Sequence, residues 1–326
     1  MMSRILVTGG AGYIGSHTVC ALIGGGAEVA IVDNLETGHE WALHPEARFY
    51  RGDIRDAAFL DGVLSEERAG AVVHFAANSL VAESMENPLK YYHNNVEGTR
   101  SLLGAMVRHG VESLVFSSTA AVYGEPERVP ILESDRTGPS NPYGETKLAM
   151  ERMIAWAARA HGLRYASLRY FNAAGAHPDG HIGEAHTPET HLIPLALQAA
   201  AGRREALQIY GTDYDTRDGT CIRDYLHITD LAQAHLLALE YLLGGGESDV
   251  FNLGNGVGFT VREVITAAEK AAGRPIPAVP APRRPGDPER LVASGEKARR
   301  VLGWEPRQDL EAMCADAWRF EQTGRR

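Results

Sequence analysis

Cysteine is scarce. The 326 residues hold three, Cys20, Cys221 and Cys314. They are far apart and odd in number, and no C-x-x-C occurs, so neither a disulfide framework nor a zinc ribbon can be assembled from them. They read as reduced thiols of a cytoplasmic protein. No apolar run approaches the ~20 residues that a membrane-crossing helix needs. The opening residues, MMSRILVTGG, run directly into a strand-like segment without the apolar core and cleavage site of a secretory leader. An excess of positive charge is also missing. Lys plus Arg total 32 against 42 Asp plus Glu, a net charge of −10, which argues against a nucleic-acid partner but is compatible with a local basic pocket for a phosphate. There is no internal repeat. His74, His227 and His235 are not spaced as ligands on one helix or hairpin, so no metal is expected.

What is present is an ordered alternation. Residues 4–8, 27–33, 47–53, 69–77 and 111–118 read as strands, and residues 13–23, 56–65 and 87–109 as helices. Residues 143–162 form the clearest helical stretch, rich in alanine and long side chains and ending at a glycine. Strand–helix repetition predicts an α/β fold with a doubly wound parallel sheet covered on both faces, whose ligands collect at the carboxyl ends of its strands. Beyond residue 175 the pattern loosens. Residues 175–191 have glycine, proline and histidine without periodicity and read as a long loop, and residues 274–288 are proline-rich. The second half is expected to form a smaller α/β lobe over the carboxyl edge of the sheet. The chain is expected to cross back and forth, with an approximate boundary that separates residues 1–175 from 176–326.

VTGGAGYIGSH sets Gly9, Gly12 and Gly15 between a strand and a helix. The first glycine permits a tight turn, the second lets backbone approach a pyrophosphate, and the third lets helix pack on strand. The free N–H groups of the helix start then face the phosphate. Asp33 ends the second strand, where a carboxylate bonds ribose hydroxyls and repels a 2′-phosphate, favouring NAD over NADP. Asp53, at the end of the third strand, can accept from an adenine amino group or serve as a helix cap or turn residue.

FSSTAAVYG ends the fifth strand with Ser117, Ser118 and Thr119, and NPYGETK places Tyr143 and Lys147 one helical turn apart. A cationic lysine favours the phenolate, drawing a tyrosine down from about 10. With the Thr119 hydroxyl, the set supplies a base, a charge that tunes it and a proton relay.

These motifs together resemble the extended short-chain dehydrogenase/reductases. More narrowly, LRYFNAAGAH, DGTCIRDYLHITDLAQAH and NLGNGVGFTVREVI resemble the UDP-glucose 4-epimerase (UDP-galactose 4-epimerase) family, over essentially the whole chain. The resemblance implies an NAD-binding Rossmann domain, a UDP-sugar-binding lobe and a homodimer joined through helices that include residues 87–109 and 143–162. It implies inversion at sugar carbon 4 through a transient 4-keto sugar, with Tyr143 as base, Thr119 bridging and Lys147 assisting. Cofactor contacts are implied for Tyr13, Ile14, Asn34 and Ile54, for Phe75, Ala76 and Ala77, and for Asn94, Ser117 and Tyr170, besides the glycines, Asp33, Asp53, Tyr143 and Lys147. The UDP-sugar falls to Phe171, Asn172, His191 and Leu192, to Gln208, Tyr210 and Arg223, and to Arg284, Asp287 and Leu291, besides Thr119 and Tyr143. Tyr210 is placed to stack on uracil or to pack in the core.

Dehydratases and decarboxylases of the superfamily carry an acid after the hydroxyl, whereas Ala120 and Ala121 stand here. Three positions depart from the family. Ser79 replaces a lysine that contacts the pyrophosphate in some members. His191 replaces an asparagine. Leu291 stands where a tyrosine crowds the sugar pocket in others, which leaves room for an N-acetyl group and implies that UDP-GlcNAc is also accepted. Readings that stay open are a UDP-xylose/UDP-arabinose 4-epimerase and a net NAD-dependent nucleotide-sugar oxidoreductase. A catalytically silent NAD-binding regulator is disfavoured, because Tyr143, Lys147 and Thr119 are all present.

Overall fold

The computed structural model describes residues 4–284 and 287–325. Its centre is a seven-stranded parallel sheet. The first six strands are β1 (Ile5–Thr8), β2 (Val29–Asp33), β3 (Arg48–Arg51), β4 (Ala71–His74), β5 (Ser113–Ser117) and β6 (Arg164–Arg169). The order across the sheet is Asp249–Asn252, β6, β5, β4, β1, β2, β3. Strand order reverses between β1 and β4, so the carboxyl edge opens a crevice there.

Period-two alternation explains why both faces are covered. Ile5 and Val7 of β1 turn to one face with Val29, Ile31, Val73, Val115 and Leu168. Leu6 turns to the other with Ala30, Val32, Val72, Leu114 and Phe116. Strands apolar on both sides are stable only between two helical layers. The second face packs on α2 (Ala57–Glu67) and on the Gly98–His109 and Pro142–His161 helices through Leu60, Leu102, Met106, Met150 and Ile154. The first packs on α1 (Tyr13–Gly24) and on the Ile228–Leu243 and Glu296–Leu302 helices through Val19, Leu231, Leu239 and Leu302. Residues beyond 175 therefore complete the sheet at one edge, where Asp249–Asn252 runs parallel to β6, and cover one of its faces.

The segment expected as one helix over residues 87–109 is interrupted. Pro88–Tyr91 is α-helical, Tyr92–Glu97 is a π-helical turn and Gly98–His109 resumes the α-helix. The π turn aims neighbouring asparagines in different directions, a device frequent at functional sites. Asn94 lines the central cleft. Asn95 accepts from Asn78 N at 2.8 Å and donates to Thr146 Oγ1 at 3.0 Å, joining the end of β4 to the Pro142–His161 helix.

A separate core forms the smaller lobe. The Leu192–Ala200, Val261–Ala272 and Leu310–Glu321 helices bury Ile193, Leu197, Val264, Ala268 and Met313. Strands Leu207–Tyr210 and Ala278–Ala281 pair beside them. A short β7 (Asn172–Ala174) leaves the main sheet and pairs with Tyr225–His227, bringing Asn172 alongside Tyr225.

Candidate active site

The glycine turn carries the tightest packing. Gly9 has φ +77°, and a Cβ there would lie 2.6 Å from Ala76 N, while a Cβ on Gly15 would lie 2.0 Å from Gly9 O. Both positions exclude a side chain for internal reasons. Gly12 differs, since its Cβ would meet only Gly9 O at 3.5 Å. The space above Gly12 opens to the cleft, and α1 begins there without a side-chain cap, so its first N–H groups are free for an anion. Asp33 is buried and accepts from Ala11 N at 3.0 Å and Leu35 N at 2.8 Å. Burial raises its pKa, and those two backbone donors pull it back. A glycine cradle, a bare helix start and a terminal carboxylate fit the pyrophosphate and ribose of NAD.

At the other end of the cleft, Asn141 caps the Pro142–His161 helix by accepting from Gly144 N at 2.9 Å, and Pro142 follows at its first position. This fixes Tyr143 in the first turn and points Lys147 at β5. Lys147 Nζ donates to Ser117 O at 2.8 Å and lies 5.0 Å from the Phe116 ring centre. Glu151, one further turn along, accepts from Ser118 Oγ at 2.5 Å and pairs with buried Arg169. The helix thus offers Tyr143, Lys147 and Glu151 in succession to the end of β5. Glu151 is a supporting residue that the sequence reading missed, although its i+8 spacing from the tyrosine was visible. Thr119 starts a 3-10 turn, its hydroxyl accepting from Ala121 N at 3.1 Å.

The electrostatics differ from the sequence expectation. Burial pushes Tyr143 above the usual tyrosine range, and the Thr119 hydroxyl pulls it down; Lys147 does not set the direction. Lys147 itself is pushed down to about 7 by burial, with Glu151 pulling upward. For each group, removal from water sets the direction of the shift.

One cavity of about 730 Å3 joins these two ends. It is lined at the nucleotide end by Gly9, Gly12, Tyr13, Ile14, Gly15, Asp33, Asn34 and Ile54. Phe75, Ala76, Ala77, Asn94, Ser117, Tyr170, Thr119, Tyr143 and Lys147 line its middle, and Phe171, Asn172, His191, Arg223, Arg284, Asp287 and Leu291 continue it. Four expected residues are not in its wall. Asp53 is held by Arg55 and Asn34, with Arg55 Nε 2.8 Å from Oδ1 and Asn34 Nδ2 3.2 Å from Oδ2, and the Arg55 hydrogen bond draws its pKa down to about 2. The turn reading of Asp53 matches this geometry better than the adenine contact does. Leu192 is the first residue of its helix and turns to the smaller lobe's core. Gln208 accepts from the Tyr210 hydroxyl, and the Tyr210 ring lies 4.0 Å beneath the Arg284 guanidinium. Tyr210 therefore supports an arginine of the cleft from behind.

Other wall residues were not anticipated. Ala120 and Ala121 do line the cleft, but so do the carboxylates Glu125 and Glu184. Glu125 is exposed, and Glu184 is tied to His191 at 2.8 Å. His186 also faces the cleft. Ser79 lines it as well, at the position where a lysine was noted as missing. At the far end, Asn172 donates to Asp224 O at 2.8 Å, and Arg223 forms an ion pair with Asp287. Among the described residues no helix is long and apolar enough to cross a membrane, and all three cysteines are free.

The chain is similar in sequence and fold to known proteins. The model of the NAD dependent epimerase/dehydratase family matches residues 5–254. The UDP-glucose 4-epimerase of Halalkalibacterium halodurans is 57% identical over 98% of this chain and 95% of its own. The structure of UDP-glucose 4-epimerase from Brucella ovis in complex with NAD superposes with a TM-score of 0.95 at 48% identity, covering 97% of this chain and 98% of that one. The UDP-Glc/GlcNAc 4-epimerase of Campylobacter jejuni superposes with a TM-score of 0.88 at 43% identity, covering 99% and 100%. With the glycine cradle and the tyrosine–lysine helix facing one cleft, this chain belongs to the NAD dependent epimerase/dehydratase family.

Proposed function

We propose that the protein interconverts UDP-glucose and UDP-galactose by inversion at sugar carbon 4, through a transient 4-keto sugar. The observation that carries this reading is the single cleft in which Thr119, Tyr143 and Lys147 stand between the glycine turn and Arg223, Arg284 and Asp287. Bound NAD supplies a reversible hydride acceptor and a positive charge near the reacting carbon. Tyr143 Oη takes the proton of the 4-hydroxyl and returns it, with the Thr119 hydroxyl bridging. Lys147, anchored on Ser117 O, stabilises the phenolate that burial alone disfavours. Gly9, Gly12, Gly15 and Asp33 hold the dinucleotide. Asn172, Arg223, Arg284 and Asp287 grip the UDP, Arg223 and Arg284 offering planar guanidinium groups to phosphate. A firm grip on the nucleotide and a loose one on the sugar allows the sugar to turn over between the two half-reactions.

The close similarity to UDP-glucose 4-epimerases, and the NAD complex of one of them, support this reading. The test is incubation of purified protein with UDP-galactose and no added NAD. Conversion to UDP-glucose without build-up of reduced cofactor is expected. A stoichiometric requirement for added NAD would favour a net oxidoreductase instead.

N-acetylated substrates form a second reading. Leu291 lines the cleft and packs against the small apolar cluster of Ala120, Val122 and Leu148, and a leucine fills less space there than a tyrosine would. UDP-GlcNAc and UDP-GalNAc are therefore expected to be interconverted as well.

The working unit is a homodimer. Met85, Leu89 and Trp156 are 62%, 78% and 67% exposed, on the Val81–Glu86, Pro88–Tyr91 and Pro142–His161 helices, which pack on one another. Apolar groups concentrated this way are a signature of an interface. Sedimentation should give a dimer, and Leu89→Asp with Trp156→Asp should give monomers. The free thiols fit a reducing, cytoplasmic setting.

A further inference from the structure

The loop that joins β7 to the Leu192–Ala200 helix reaches back over the nucleotide end. Tyr13 donates its hydroxyl to Gly175 O at 2.7 Å, and His39 Nε2 lies 2.7 Å from Ala185 O. Between these anchors and the helix, four side chains converge: Glu184, His186, Glu189 and His191. Their donor atoms all lie within 4.8 Å of one another. His191 Nδ1 is 2.8 Å from Glu184 Oε1 and 2.9 Å from Glu189 Oε1. His186 Nδ1 is 3.2 Å from the same Glu184 oxygen and 3.7 Å from Glu189 Oε2.

Glu189 Oε1 accepts from Thr190 N at 2.7 Å and His191 N at 2.8 Å, but ordinary hydrogen bonding does not account for His186. Two imidazole nitrogens crowd one carboxylate oxygen, and His186 Nδ1 is buried without a hydrogen bond of acceptable geometry. The carboxylates of Glu184 and Glu189 are only 6% and 7% exposed, and the ion pairs of the described residues bring no lysine or arginine to either. Two buried negative charges need a compensating dication or two imidazolium ions. Two nitrogens and two carboxylate oxygens within 4.8 Å of one another are the donor set of zinc and its neighbours, and four protein ligands are the number a closed, structural zinc site uses.

We propose that Glu184, His186, Glu189 and His191 form a binding site for a divalent transition metal of the zinc class, which ties the loop to the start of the Leu192–Ala200 helix at the wall of the cleft. This proposal departs from the sequence expectation of no metal. The ligands follow an E-x-H-x-x-E-x-H spacing within a loop, where neither a helix nor a hairpin periodicity marks them. Because Glu184, His186 and His191 line the cavity, the metal braces its wall. Its role is structural, since all four donors come from the chain.

Cobalt is the probe, because its visible absorption reports ligand number and type. Full-length protein is stripped with a chelator, titrated with Co2+, and then challenged with Zn2+; bound metal is counted by elemental analysis. One Co2+ per chain is expected, displaced by one Zn2+, with a higher melting temperature in the loaded state. Glu189→Gln and His186→Gln should each weaken the affinity by about tenfold or more. A His177→Ala/His181→Ala pair should bind as the parent does, although His177, Asp179 and His181 form a second, more exposed cluster. The proposal is overturned if the parent chain takes up no stoichiometric metal and its melting is indifferent to the chelator. It is also overturned if uptake survives Glu189→Gln and His186→Gln, or is lost with His177 and His181.

Discussion

Lys147 Nζ donates to the main-chain carbonyl of Ser117 at 2.8 Å, so the helix that carries Tyr143 is pinned by its lysine to the strand end that carries Thr119. A buried amine held by one neutral carbonyl costs stability when charged, and its pKa falls to about 7. Under the proposed function this charge serves the chemistry. Lys147→Met removes it while filling similar space. Turnover should fall by roughly 10²–10⁴-fold, the range of an acid–base contribution, while the melting temperature at pH 7 is unchanged or higher. Steady-state kinetics beside calorimetry checks both halves.

Gly15 presents the opposite case, where geometry alone decides. A methyl group there would lie 2.0 Å from Gly9 O, a backbone atom in a turn that Ala76 already confines. Gly15→Ala should destabilise the fold by about 1–3 kcal/mol or open the turn. Either way, less dinucleotide should survive gel filtration, as read from the absorbance ratio of the purified protein. An alanine at Gly12 meets no close atom in the chain, so it should spare stability and reduce retention alone.

The sugar end makes a specificity prediction. Leu291→Tyr fills space in the cleft beside Phe171. UDP-GlcNAc turnover should then drop about tenfold or more relative to UDP-galactose turnover, in line with the discrimination a crowded pocket achieves. Equal losses on both sugars would place Leu291 away from the N-acetyl group.

Acid sensitivity follows from three buried histidines. Burial depresses His17 and His74 to about 3 and His235 to about 4. The unfolded chain takes up these protons near pH 6.5, and the native state does not. Stability from these groups is complete above pH 6.5 and is lost as pH falls toward 4. Asp224, raised by burial to about 7, and Asp33, raised as well, act the other way across this window, but as two groups against three. Net stability should therefore decline from pH 6.5 to 4.5. His235→Phe removes one such group, and its denaturation profile should be shallower by about 1.4 kcal/mol per pH unit.

The nucleotide half was legible in the sequence because its signals are local. β1, the glycine turn, α1 and Asp33 are contiguous, and each constrains the next. The Pro142–His161 helix was legible for the same reason, with Asn141, Pro142 and the Tyr143–Lys147 spacing inside seven residues. Other features depend on distant partners. Asp249–Asn252 completes the sheet by pairing with β6, some eighty residues earlier in the chain, and nothing near it announces that. The π turn at Tyr92–Glu97 is set by what Asn94 and Asn95 must face, not by helix periodicity. Asp53 took its local partner Arg55, the turn role that the sequence left open beside an adenine contact. The pKa of Tyr143 depends on burial, which spacing does not reveal. Glu184 and His186 lie in a loop with no period, and only the fold shows that they meet.

The central claim is that the Tyr143 hydroxyl is the group that exchanges the substrate's proton. Tyr143→Phe removes one oxygen and keeps the ring, so its dinucleotide content and melting temperature should match the parent's. The decisive measurement is turnover of UDP-galactose by that variant, normalised to bound dinucleotide. The account predicts a loss of at least about 10²-fold. A near-normal rate with full dinucleotide content would contradict it and move the base to another residue of the cleft.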